Sequence, residues 1–148
     1  MKQVTVVDCI LCEDIRQELG GKFSVMGIYN DDLIVPGDPV WPMVLRHYVF
    51  VRLRNFPNQG TMNVTVSSGE ETIVEAKVDI QVTGNGDIVA VPLPMHLQLK
   101  QFAKLVTRLS FTDASNENLG QYECSLVIRE PRQGDVNLPA HLIPPQSS

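Results

Sequence analysis

Long apolar runs are missing from this chain: none approaches the roughly 18 residues that a membrane helix requires, and no long amphipathic helix pattern is present. Positive charge is also in short supply. Twelve Lys and Arg against 17 Asp and Glu leave a net charge of −5 (12 − 17), the wrong sign for neutralising phosphates. Neither nucleic acid nor a membrane surface is therefore an expected partner, and the modest acidity reads as a solubility feature. Gly-x-Ser-x-Gly, Walker-type and dinucleotide-binding glycine loops are absent, and no Ser, His and Asp spacing marks a triad. On that basis the chain reads as a non-enzyme, with no catalytic residue, cofactor or metal site assigned.

Cysteine is sparse and odd in number: Cys9, Cys12 and Cys124. The first residues carry one basic side chain, their apolar run is broken by Asp8, Glu13 and Asp14, and no small-residue cleavage pattern follows. The expectation is a cytoplasmic protein without a signal peptide, its three thiols reduced. Zinc at Cys9-x-x-Cys12 would need a second ligand pair, and His47, His96 and His141 are scattered. Residues three apart on a strand also face opposite sides, so buried structural thiols are the expected state.

What the chain does have is alternation. Its 148 residues and 43% hydrophobic content suit one globular domain. Val7, Cys9, Leu11 and Ile15 point one way while Asp8, Cys12, Asp14 and Arg16 point the other, the period of a half-buried strand. Glu13 falls on the apolar side, which predicts a bend or bulge there; a helical turn over Glu13 to Leu19 is the alternative. Gly20-Gly21 supplies positive φ for a hairpin, and Phe23, Val25, Gly27 and Tyr29 line one face of the returning strand. The rest of the chain reads as strands packed around that hairpin.

Further strands are expected over Leu33 to Val35, Val44 to Arg54, Thr61 to Val66, Ile73 to Val82, Ala103 to Phe111 and Gln121 to Arg129. Ile88 to Leu93 reads as a strand cut by Pro92 and Pro94, and Leu97 to Phe102 as a short helix or edge strand. Between Val44 and Arg54, Leu45, His47, Val49, Val51 and Leu53 alternate with Val44, Arg46, Tyr48, Phe50, Arg52 and Arg54, and the mixed polarity leaves the inward face open. Pro36, Pro39 and Pro42 place Trp41 on a loop or edge. Eight or nine short strands with frequent turn signals indicate an all-β fold, a single antiparallel β-sandwich over residues 1–130 of immunoglobulin-like or C2-like general shape. Residues 131–148 form a Pro-rich tail, expected to be mobile or strapped to the surface.

Glu13, Asp14, Arg16, Glu18 and Lys22 make the densest charged cluster. It reads either as a small-ligand or catalytic cleft or as cross-strand ion pairing, with Asp14 or Arg16 opposite Lys22 or Ser24. The acidic loops at 30–32, Asp38, Asp87 and 113–117 would suit calcium if they gathered at one end, although turn formation explains Asn and Asp equally well. Leu119-Gly-Gln-Tyr-Glu-Cys124 resembles the Gly-x-Tyr-x-Cys segment of immunoglobulin domains. The match fails because Cys12 lies too far ahead of Trp41 and because the strand of Tyr122 is the last.

Leu11-Cys-Glu-Asp-Ile-Arg-Gln-Glu-Leu-Gly-Gly-Lys-Phe-Ser-Val-Met-Gly-Ile-Tyr29 resembles a family of small bacterial β-sandwich proteins of unknown function. Its members carry Cys, Asp/Glu, Asp, Val/Ile, Arg, then Gly-Gly-Lys, then a strand ending Gly-Ile-Tyr. The resemblance implies a compact β-sandwich and a bacterial or phage-borne cytoplasmic origin, and it transfers no activity. The expected function is a non-catalytic interaction or assembly module. Its partner is another protein or a second copy, met through an edge strand, because Gln121 to Arg129 contains neither proline nor glycine and only Glu123 and Arg129 as charges; the alternative is that the tail from Pro131 folds back over that strand.

Overall fold

The computed structural model describes residues 3–84 and 87–135. Within them lie nine strands and no helix: β1 (Thr5–Gln17), β2 (Phe23–Tyr29), β3 (Asp32–Ile34), β4 (Met43–Arg54), β5 (Gln59–Ser68), β6 (Glu71–Gln81), β7 (Ile88–Leu99), β8 (Ala103–Asp113) and β9 (Asn118–Arg129). They form a four-stranded sheet, β2-β1-β4-β7, and a five-stranded sheet, β3-β9-β8-β5-β6. The two pack face to face as a sandwich. All pairings are antiparallel except β3 with β9, which is parallel. The expectation of a purely antiparallel sandwich is corrected at that one strand.

Burial settles which way β4 faces. Leu45, His47, Val49, Val51 and Leu53 are all buried, and the four apolar ones join Met95, Leu97 and Leu99 of β7 in the core. Met62, Val64 and Val66 of β5, Leu105, Leu109 and Phe111 of β8, and Leu126 and Ile128 of β9 meet them from the other sheet. The core thus sits between β4 and β7 on one side and β5, β8 and β9 on the other. The β1–β2 hairpin does not organise it: β2 is an edge strand.

Two other expectations are corrected. No helical turn follows Glu13, since β1 stays extended through Gln17. Pro92 and Pro94 do not cut a strand either; β7 runs through both, with Pro92 opposite Phe50 and Pro94 opposite Tyr48. A proline fits an edge strand wherever the missing N–H would point to solvent, and β7 is the edge beside β4. Leu97 to Leu99 is the end of that same strand.

The irregularity expected at Glu13 is a bend. Its cross-strand position is Gly27, which has φ of 65°, and a Cβ there would stand 2.7 Å from Glu13 Cγ, so the glutamate lies across the glycine. Gln17 pairs with Phe23, whereas Ile10 pairs with Phe50. A straight ribbon would carry Phe23 about 20 Å beyond Phe50. Instead the two rings sit 5.3 Å apart. The hairpin therefore folds back over the outer face of its own sheet, where Phe50 and Cys12 are buried although neither belongs to the main core.

Candidate functional site

The hairpin tip gathers the five charged residues without making a cleft of them. Arg16 stands opposite Ser24 in the ladder, and its nearest acid is Asp14 on its own strand at 3.7 Å, both side chains largely in solvent. Glu18 accepts from the Ser24 hydroxyl at 3.0 Å, and its amide donates to the Lys22 carbonyl at 2.7 Å, which closes the turn over Gly20 and Gly21. Glu13 spends its side chain over Gly27. Burial, and then the nearby Glu13, push the Tyr29 hydroxyl above its ordinary pKa. The arrangement holds a hairpin together and focuses no charge on one point.

Two of the acidic loops make local contacts. Asp113 caps its own turn, accepting from the amides of Ser115 at 2.8 Å and Glu117 at 2.9 Å. Asp32 accepts from Arg129 at 2.9 Å. Among the described residues no three His, Cys, Asp or Glu side chains come together as a metal cage.

A cleft of about 520 Å³ opens between the β5–β6 turn and the β7–β8 turn. Its rim carries Glu71, His96, Gln98 and Lys100, with Ile73 and Leu99 beneath. Lys100 and Glu71 form an exposed pair at 3.4 Å, the kind of contact that contributes little. Among the described residues no hydrogen bond links His96 to a nucleophile.

The most structured feature lies along the seam where β1 passes β9. At its start the Val4 amide donates to the Leu119 carbonyl at 2.9 Å. Further along, the Cys9 and Cys124 sulfurs approach to 3.9 Å across the two sheets. Past that point β3 takes over, pairing Asp32 to Ile34 with Val127 to Arg129, and the Val127 amide donates to the Asp31 carbonyl at 2.9 Å. Arg129 fixes this end: it reaches Asp32 on β3 and grips Asp135 with two hydrogen bonds of 2.8 and 2.6 Å. The guanidinium beside it holds the Asp135 carboxyl down to about 2.

β9 is therefore no bare terminal edge, which corrects that part of the sequence reading. Its covered stretches are short, however. Val4 meets only Leu119 and β3 only Val127 to Arg129. Because the Val127 amide points toward β3, strand alternation aims the amides of Gln121, Glu123 and Ser125 to the same open side. Tyr122, 37% exposed, stands among them. Of the expected tail, residues 131–135 form a turn held by Asp135, and the rest lies outside the described residues.

Sequence reasoning found Cys124 and its Tyr-x-Cys setting but tested Cys12 as the partner. Cys12 is on the outer face, opposite Tyr48; Cys9 is the thiol that packs inward. The alternation of Cys9 with Leu11 was the available signal; the expected inward Val7 is replaced by Val6, because a bulge between Val6 and Asp8 shifts the register. Comparison of the chain with protein-family models and with curated proteins gives no match. Among the described residues no helix is long and apolar enough to cross a membrane.

Proposed function

We propose that this protein is a non-catalytic docking module that adds a strand from a second copy of itself to the open stretch of β9, residues 120–126. The observation that carries this is the gap between the two short covers, Val4 at Leu119 and β3 at Val127. Unpaired edge amides and carbonyls bind another strand unless something blocks them. The other edges are blocked. β7 carries Pro92 and Pro94; β6 alternates Glu75, Lys77 and Asp79 outward; β2 is short and bent at Gly27. In the open stretch only Glu123 is charged, and Arg108 neutralises it at 2.8 Å.

The shape is read as immunoglobulin-like rather than C2-like, supported by the inter-sheet Cys9 and Cys124 contact with Tyr122 two residues before the second cysteine. Trp41 departs from that pattern, since its ring packs edge-on against Phe102 at 5.1 Å and not against the cysteines. The bacterial, cytoplasmic setting implied by the Gly-Gly-Lys family belongs to the same proposal.

Ser125→Pro tests it. The lost amide points outward, so the ladder to β8 keeps its bonds, while the ring blocks an incoming strand. Light scattering at high micromolar concentration is expected to show a dimer for the native chain and a monomer for the variant. A native chain that is monomeric, or a variant that dimerises equally well, overturns the proposal.

A further inference from the structure

We propose that Cys9 and Cys124 are a reversible oxidation site, closing an inter-sheet disulfide when the folded protein meets a peroxide. The contact is set by the backbone as much as by rotamers. The hydrogen bond from Val4 to Leu119 spans 115 positions (119 − 4), and so does the contact from Cys9 to Cys124. Equal spacing at two points means that β1 and β9 run side by side in the same direction along the seam. The thiols are therefore held opposite each other by two strands that lie side by side with no ladder between them, tied at one end by the Val4 hydrogen bond. Their sulfurs, 3.9 Å apart, must close to about 2.05 Å, a movement within reach of χ1 rotation and a small strand shift.

The surroundings suit the chemistry. Both thiols are half-buried, which leaves them open to a small oxidant. Cys12, by contrast, is fully buried on the far side of its sheet and has no sulfur facing it. Hydrogen bonding from the Cys9 thiol favours the thiolate at Cys124 and holds its pKa down, while Cys9 itself is pushed up. With the shared proton on Cys9, Cys124 attacks first; with the proton on Cys124 the order reverses and the same disulfide forms.

In the first step the Cys124 thiolate attacks one peroxide oxygen. The S–O bond forms, the O–O bond breaks, and the leaving hydroxide takes the Cys9 proton as water. In the second step the Cys9 thiolate attacks the Cys124 sulfenic acid. The S–S bond forms, the S–O bond breaks, and the hydroxide that leaves takes up the proton Cys124 had released to solvent on forming its thiolate, giving the second water. Two thiols and one peroxide give one disulfide and two waters, a two-electron oxidation that a dithiol reverses.

The result is a staple between the sheets that closes nearly the whole chain into one loop, where cross-links constrain the unfolded chain most. Folded protein prepared with reductant should titrate three thiols after denaturation. After brief hydrogen peroxide treatment and removal of the oxidant it should titrate one, and peptide mapping should link Cys9 to Cys124. The thermal midpoint should rise by about 5–10 °C and return with dithiothreitol. Cys12→Ala should keep the link and the shift, whereas Cys9→Ser should lose both. Three titratable thiols after peroxide, a link involving Cys12, a link between two chains, or sulfinic acids at Cys9 and Cys124 without a link would each overturn the assignment. Mapping of the unaltered protein decides the matter even if a variant folds poorly. None of these outcomes depends on whether β9 docks a second copy.

Discussion

His47 is a residue at odds with its surroundings. It lies 3% exposed on the core face of β4, opposite Met95, and its Nδ1 has no hydrogen-bond partner. Burial lowers its pKa from 6.5 to about 4. Above pH 6.5 the ring is neutral folded and unfolded, so it leaves stability unchanged. Between 6.5 and about 4 the unfolded chain binds a proton that the folded one refuses, and stability falls as pH falls. The loss reaches about 2–3 kcal/mol by pH 4.5. Urea unfolding of His47→Leu should therefore show a gain over the native chain that grows from pH 7 to pH 4.5; a gain that is the same at both would refute it. Gly60 gives a second contrast. A Cβ there would stand 2.7 Å from the Thr112 carbonyl oxygen and 2.9 Å from the Phe56 ring, while one at Gly20 meets nothing. Gly60→Ala should cost about 2–3 kcal/mol against about 1 kcal/mol for Gly20→Ala, where only the positive φ is at stake. Equal melting points for the two would contradict this. The turn at Gly20 and Gly21 was legible in the sequence because positive φ has a residue signature. The crowding at Gly60 was not, because it depends on a neighbouring strand more than 50 positions away.

The element that most repays attention is β3, three residues long and parallel to its neighbour. Of its three residues only Leu33 packs against the core, and Arg129, whose side chain is only 13% exposed between Asp32 and Asp135, adds the polar anchor. Arg129→Ala should leave β8 and β9 paired and release β3. Hydrogen exchange of the Val127 and Val35 amides, which bond to Asp31 and Arg129 carbonyls, should quicken at least about tenfold, while the amides that β8 and β9 share should not change. Uniform quickening across both sheets would show instead that Arg129 supports the whole fold. The sequence offered Leu33 to Val35 as a strand but no partner for it, since three residues carry no register signal. Pro92 and Pro94 were misleading for a related reason. The rule that proline ends a strand holds for central strands, and edge position is a property of the sheet, not of the segment.

At the scale of the whole molecule, alternation was strong enough to show an all-β chain, but not which way β4 faces or which strands meet. Pairing across the sandwich, as in β1 beside β9, depends on chain closure that no local pattern encodes. That is why the charged hairpin looked central while the seam did not. The seam leads to a prediction about chain length. Ending the chain after Glu130 removes Asp135, the carboxylate that Arg129 grips. β3 should then loosen and lengthen the open stretch of β9 from residues 120–126 toward Arg129. A chain ended after Asp135 keeps the grip and loses only residues 136–148. By light scattering, the shorter chain should associate more strongly than the full one, and the chain ending at Asp135 should match the full one. Stronger association of the chain ending at Asp135 would mean that residues 136–148 themselves guard β9, and the edge would then be closed by its own chain.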